Sequence, residues 1–240
     1  MEKNYKNPSK RKKILRKLWK WSKRIFIWLF IFQLCYIIAL KWINPPITIT
    51  QLASWVSGHG LHRDFVKKKN ISPNVRLAVM ASEDQLYPDH NGFDWQSIQK
   101  AMQFNEKHKN RIRGGSTISQ QTAKNIFLWQ GRSWIRKGLE MYFTFMIEKI
   151  WGKKRILELY LNEIETGKGI FGIEAAAQKY FHKPAAQLSK TEAATIAALL
   201  PNPKIYGANI QSAFIKRRTQ QIVRQMQNIE TDEDIKNLVD

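Results

Sequence analysis

The chain has 240 residues, 43% of them apolar, and a formal net charge of +21. That length allows one medium domain with an appendage, and the apolar share is enough for a hydrophobic core. The lone cysteine, Cys35, excludes an intramolecular disulfide and a cysteine metal site, and the five histidines show no HExxH-type ligand spacing.

The charge is concentrated at the start. Residues 1–24 hold eleven lysines and arginines against Glu2, a local charge of +10 that leaves +11 for the rest. Such a run suits nucleic acid or an anionic membrane face. The following residues favour the membrane. Ile25 to Leu40 is uncharged and is followed by Lys41-Trp42-Ile43, so a span over 25–43 is short but workable if its end residues snorkel. Trp19, Trp21, Trp28 and Trp42 place aromatic rings near both interfaces. The basic flank comes first, which predicts a cytoplasmic N-terminus and an exported remainder. Lys-Trp-Ile-Asn-Pro-Pro after Leu40 offers no small-x-small cleavage pattern, so an uncleaved anchor is expected rather than a signal peptide. Nucleic acid is not an expected partner.

Pro45-Pro46 breaks the chain, and residues 44–70 read as a juxtamembrane linker with a helix from Gln51 to Asn70. Its Lys67-Lys68-Lys69 run is either a headgroup contact or a solvated face. From residue 71 to 240 the pattern predicts one all-α domain. Pro73 to Met80 reads as a helix start, and Asp94 as the N-cap of a helix carrying Trp95, Ile98, Ala101 and Met102. Ser116 is placed to cap a helix running to Leu128, and Ser133 another running to about Trp151 with Ile135, Leu139, Tyr142, Phe143, Met146 and Ile150 as its apolar stripe. Ser189-Lys190-Thr191-Glu192 is a capping box before an Ala/Leu helix that stops at Pro201-Asn202-Pro203.

The candidate chemistry lies between Ile71 and Ile164, where carboxylates alternate with fixed cations. Glu140 follows Arg136 and Lys137 by one helical turn, an arrangement that also describes an ordinary surface ion pair. Gly114-Gly115 before Ser116 permits either a plain turn or close backbone approach with free amides at a helix N-terminus. Together with Lys124, Arg132 and Arg136, those amides suit a phosphate-rich group. A glycosidase must protonate a poor leaving group, whereas a diphosphate leaves as a stable anion, so cations can replace the acid. One base with several cations fits the second case.

These residues also carry a family resemblance. Glu83-Asp84-x-x-Tyr87-x-x-His90-x-Gly92-x-Asp94, then Gly-Gly-Ser-Thr-Ile-Ser-Gln-Gln over 114–121, Arg136-Lys137-x-x-Glu140, and Lys154-x-Ile156-Leu157-x-x-Tyr160-Leu161-Asn162 stand in the order found in the family 51 glycosyltransferases, the peptidoglycan glycosyltransferases. Gly172 to Ala177 with Tyr180-Phe181 resembles the last motif, and the resemblance covers roughly 70–207. It implies a lysozyme-like helical domain that polymerises lipid II into β-1,4-linked glycan strands, with inversion and release of undecaprenyl diphosphate. With one anchor and no room for a transpeptidase domain, a monofunctional enzyme is expected.

By resemblance, Glu83 is the general base and Glu140 the carboxylate tied to the diphosphate region. Lys124 and Arg132 bind the donor diphosphate, and Ser116, Gln120 and Gln121 line the substrate. Arg136, Lys137 and Lys100 join the binding set; Lys100 stands where many members have Arg, and Tyr87 where most have Phe. No cofactor is required, although Mg or Mn at the diphosphate is compatible. Expected partners are lipid II and the growing glycan chain, membrane lipids, and proteins of cell-wall synthesis or division. The expected location is the bacterial inner membrane, with the catalytic domain in the periplasm. Two rivals are a lytic enzyme, for which Lys124 and Arg132 would have no diphosphate to hold, and a non-catalytic membrane-tethered scaffold, which leaves the ordered motifs unexplained.

Overall fold

A computed structural model describes residues 8–108, 114–131 and 133–239. The chain divides into two compact units, Met1–Ile43 and Asn44–Asp240.

The first unit is one helix, α1 (Pro8–Ala39). No glycine or proline interrupts the sequence between Ser9 and Ile43, and Lys, Arg, Leu and Trp all tolerate helix, so the basic tail and the apolar span form a single rod. Lys12–Ala39 is long and apolar enough to cross a membrane. Every side chain from Ile25 to Phe32 is exposed, which is costly in water and natural in hydrocarbon. This fits a single-pass anchor. The expected span ran to Ile43, but the helix stops at Ala39, and Lys41 and Trp42 close tight turns onto the carbonyls of Ile38 and Ala39. The Lys23 ammonium lies 5.0 Å from the Trp19 ring centroid, a geometry suited to a side chain reaching from the span towards its interface.

The second unit is helical around a small sheet. In chain order it contains α2 (Ile49–Val56), β1 (His62–Arg63), α3 (Pro73–Glu83), α4 (Trp95–Lys107), α5 (Ile118–Phe127), α6 (Trp134–Ile150) and α7 (Lys153–Glu163). It continues with β2 (Glu165–Gly167), β3 (Ile170–Phe171), α8 (Ile173–Phe181), α9 (Lys190–Leu199), α10 (Pro203–Tyr206), α11 (Ala213–Ile229) and α12 (Glu233–Val239). The sheet order is β1-β3-β2, with β1 parallel and β2 antiparallel to β3. Helix α3 packs against α9, α11 and α12. Its Val75, Leu77, Ala78, Val79, Met80 and Ala81 are all buried, so it is a core helix with almost no solvent face. Alanines 193, 194, 197 and 198 of α9 are buried beside it and permit close helix approach. Helix α5 packs against both α6 and α7.

Residues 44–70 are not a separate linker; they are stitched into this unit. The Gln51 amide donates to Glu163 Oε2 at 2.6 Å, and Arg63 donates to the carbonyls of Pro45 and Pro46 at 3.1 and 2.6 Å. Asn162 clasps Val66, accepting from its N–H at 2.9 Å and donating to its carbonyl at 3.1 Å. The helix expected over 51–70 ends early because Gly58 and Gly60 take φ of +70° and +89°, after which the chain pairs as β1.

Most caps stand as expected. Asp94, Ser133 and Ser189 accept from backbone amides at the starts of α4, α6 and α9, and Ser189 and Glu192 complete a capping box. The start expected at Pro73 is capped by Ser72. Helix α5 differs. Its N-cap is Thr117, not Ser116, and Gln120 closes the box by accepting from the Thr117 N–H at 3.0 Å. The apolar stripe of α6 is also corrected at its start, since Trp134 and Ile135 are 92% and 77% exposed. Two turns later Phe143 stacks on Phe127 at 4.5 Å between ring centroids.

Candidate active site

Glu83 is the last residue of α3, so a rigid core helix positions its carboxylate. Gln121, on the second turn of α5, donates from Nε2 to Glu83 Oε2 at 3.0 Å. The Tyr160 hydroxyl of α7 donates in turn to Gln121 Oε1 at 3.2 Å. Burial raises the Glu83 carboxyl above its ordinary range, while the Gln121 hydrogen bond, Arg218 and Lys124 draw it down and Asp84 pushes it up. Arg218 comes from α11, far along the chain, and no motif had pointed to it.

Asp84 and His90 stand beside Glu83 in sequence but serve the fold. Asp84 Oδ2 accepts from the first amide of α5, Ile118 N–H, at 2.9 Å. His90 Nδ1 accepts from the Gly92 N–H at 3.1 Å, which leaves Nε2 as the donor to Asp84 at 3.0 Å. The Thr117 hydroxyl donates to the Gly92 carbonyl at 2.7 Å. Gly92 has φ +88°, and a Cβ there would lie 2.8 Å from Thr144 Cγ2. Thus the loop after Glu83 is a clasp that fixes α5 against α3. The amide of Ile118, at the first position of α5, is given to Asp84 and is not free for an anion. Gly115 has a packing reason as well: a Cβ would stand 3.1 Å from Ile98 Cα on α4.

One turn along α5 from Gln120 is Lys124, whose ammonium is pulled below its ordinary range by burial. Glu140 and Glu83 oppose that shift, and Arg136 and Lys137 reinforce it. Glu140 of α6 is no surface ion pair. Its side chain is only 4% exposed, and Oε2 accepts from Arg136 Nη1 at 2.7 Å while Oε1 pairs with Lys137. Arg136 Nε is enclosed without a hydrogen-bond partner among the described residues. Three cations therefore gather about one buried carboxylate, a local excess of positive charge suited to a polyanionic ligand.

A cleft of about 330 Å³ opens beside Gln121 and Lys124; its lining also includes Asn125, Tyr160, Glu165 and Lys204. Asn125, Tyr160, Glu165 and Lys204 are additions to the expected site. Among the expected residues, Glu83, Gln121, Lys124, Arg136, Lys137 and Glu140 are linked by hydrogen bonds, ion pairs or mutual electrostatics. Gln120 is instead buried in its capping box, Ser116 is exposed ahead of the cap, and Lys100 is exposed on α4. Arg132 lies outside the described residues.

A family model described as transglycosylase matches residues 49–227, beginning at the first residue of α2. The biosynthetic peptidoglycan transglycosylase of Salmonella schwarzengrund is 56% identical over 182 residues, covering 75% of each chain. Proteins of the same description from Salmonella paratyphi B and Salmonella typhi are 56% and 55% identical over the same length and coverage.

Proposed function

The chain belongs to the transglycosylase family, and from that premise we propose how Glu83 and Lys124 divide the work of glycan polymerisation. The protein is a peptidoglycan glycosyltransferase, joining lipid II units into β-1,4-linked strands with inversion and release of undecaprenyl diphosphate. Glu83 accepts the proton from the acceptor's 4-hydroxyl as that oxygen attacks the anomeric carbon of the donor. The bond to the diphosphate breaks on the opposite face, and Lys124 meets the charge that develops there. Arg136 and Lys137, oriented by Glu140, extend the positive field around the leaving group, and Arg132 joins the donor-binding set. The proton on Glu83 then passes to solvent before the next cycle.

The carrying observation is the Tyr160–Gln121–Glu83 hydrogen-bonded chain, whose carboxylate feels the charge of Lys124. Burial makes Glu83 a stronger base than a solvated carboxylate, while Gln121 and Arg218 favour its ionised form. A raised carboxyl alone would also suit a general acid in a lytic enzyme. The buried cations favour transfer, because a cleaving enzyme has no diphosphate for them to hold. Charge compensation at the leaving group rests on these side chains, and a Mg or Mn ion would arrive on the diphosphate oxygens.

The basic flank before the apolar span supports a cytoplasmic N-terminus by the positive-inside rule, with residues 44–240 exported to the periplasm and tethered to the inner membrane. There it meets lipid II, the growing strand, membrane lipids and proteins of cell-wall synthesis or division. The test is to incubate the purified full chain with labelled lipid II and resolve the products by length. Glycan strands are expected in the presence and absence of a divalent chelator. Failure to form any polymer overturns the reading.

A further inference from the structure

We propose that Lys67, Lys69 and Lys154 form a cationic collar that binds the phosphates of anionic phospholipids where the chain leaves the membrane. The proposal rests on reading α1 as a membrane anchor and is independent of the chemistry in the cleft.

Three stretches far apart in sequence meet at this corner. Arg155, in the first turn of α7, donates from Nη2 to Asn44 Oδ1 at 3.0 Å. Its Nη1 donates to Glu158 Oε2 at 2.8 Å, and Glu158 Oε1 accepts from the Lys68 N–H at 3.1 Å. One hydrogen-bonded chain therefore joins Asn44, the start of α7 and the short helical turn Lys68–Asn70. Asn44 comes five residues after the last residue of α1, so chain length alone keeps it within about 18 Å of that end. The turns closed by Lys41, Trp42 and Ile43 shorten that reach. Covalent continuity thus holds Arg155 and its neighbours near the headgroups of the leaflet from which the chain emerges.

The charge at this corner is one-sided. Glu158 is already matched by Arg155 and the Lys68 amide. Asp64 is the only acidic residue from 44 to 70, and residues 151–157 contain none. Lys67, Lys69 and Lys154 are exposed, and none of them pairs with a carboxylate among the described residues. Apolar surface also continues past the anchor here. Helix α2 exposes Ile49, Leu52 and Val56 along one stripe, at 48%, 44% and 75%, as suits a segment that runs beside a bilayer.

A run of lysines far from any membrane is a solvated face. Beside one it acts differently, because an anionic surface attracts cations across a screening length of about 8 Å at physiological salt. The residue types divide the task. Arg155, fixed by its two hydrogen bonds, holds α7 to Asn44, while the lysines carry compact charges on flexible stems that can follow moving headgroups. A second attachment at this corner restricts the swing of the domain about its tether.

The test uses the full chain with Cys35→Ser and Asn70→Cys, labelled with a fluorescent donor at the exposed position 70. It is placed in nanodiscs of phosphatidylcholine with phosphatidylglycerol as the minor lipid. Energy transfer is read to headgroup-labelled tracers of the two lipids, each at the same mole fraction. Transfer to the anionic tracer should exceed transfer to the zwitterionic one. Changing one lysine to Gln should cut that excess by up to about fivefold, and Lys67→Gln/Lys69→Gln/Lys154→Gln should erase it at unchanged Tm. Arginine at the same three positions should keep the excess, and high salt should weaken it. The basic tail is identical in every variant, so the differences report the collar. Equal transfer to both tracers in the parent protein, or an excess that survives in the triple Gln variant, overturns the proposal. Displacement of the anionic tracer by inorganic phosphate at constant ionic strength also overturns it, since the lysines would then serve free phosphate. The readings it touches fail separately. Loss of the protein from purely zwitterionic nanodiscs would strike the anchor; an intact anionic excess without strands from lipid II would strike the proposed reaction and leave the collar standing.

Discussion

Gln121 is locked between Tyr160, which donates to its oxygen at 3.2 Å, and Glu83, which accepts from its nitrogen at 3.0 Å. The tyrosine decides which end of the amide faces the carboxylate. Burial also pushes the Tyr160 hydroxyl well above its ordinary range, so it remains a proton donor. Gln121→Ala should lower kcat roughly tenfold, because the base loses both its orientation and a charge-assisted hydrogen bond. Tyr160→Phe should cost less, since the amide remains but can turn. Equal kcat values for wild type and Gln121→Ala in lipid II assays would contradict this.

Arg218 acts on Glu83 by charge alone. Removing it as Arg218→Gln takes away a pull towards ionisation, so the Glu83 carboxyl should rise further. A base works only when deprotonated, hence the acidic limb of the pH–rate profile should move to higher pH, with activity nearly restored on the alkaline side. Arg218→Lys should keep the limb close to wild type. A limb that stays in place in the Gln variant refutes the coupling.

Glu140 neutralises cations that otherwise repel one another and Lys124. Glu140→Ala leaves the largely enclosed Arg136 without its carboxylate, and should lower unfolding stability by about 3–5 kcal/mol in urea titrations. The Lys124 ammonium also loses its largest support and should deprotonate at lower pH. The alkaline limb of activity should therefore shift down. Stability and profile both unchanged would show that Glu140 holds no such post.

Glu163 gives a pH signature outside the site. Burial raises its carboxyl to about 7, against pulls from Arg63 and the Gln51 amide. The folded chain thus holds this proton more tightly than the unfolded chain, whose ordinary value is 4.5. The stabilisation is complete below 4.5 and disappears as pH climbs through about 7. Glu163→Gln, neutral throughout, removes this slope. Relative to wild type, the variant should gain up to about 3 kcal/mol between pH 4 and pH 8 by linkage. Parallel stability curves for the two proteins would contradict the shift.

The helical class and most helix starts were legible because they depend on local chemistry: a serine or aspartate before an apolar period specifies a cap wherever the helix later packs. Glu83, Gln121, Lys124 and Glu140 are singled out by the motifs that resemble the family, each of which falls at or near a helix end. Arg218, Glu165 and Lys204 were not, because they reach the site only through the packing of α11 on α3 and of α10 on β2. The motif resemblance puts Gln120 and Gln121 together in the substrate lining, and only the capping box with Thr117 shows that Gln120 turns inward. Residues 44–70 read as a linker since the partners that fix them, Glu158, Asn162 and Glu163, lie about a hundred residues away.

The most direct measurement compares wild type and Glu83→Gln, both as full-length protein, for glycan strand formation from labelled lipid II. The amide matches the carboxylate in size and keeps the fold, so circular dichroism and Tm should coincide while polymer falls to background. Strands formed by the variant at near the wild-type rate would contradict the assignment of Glu83 as the proton acceptor.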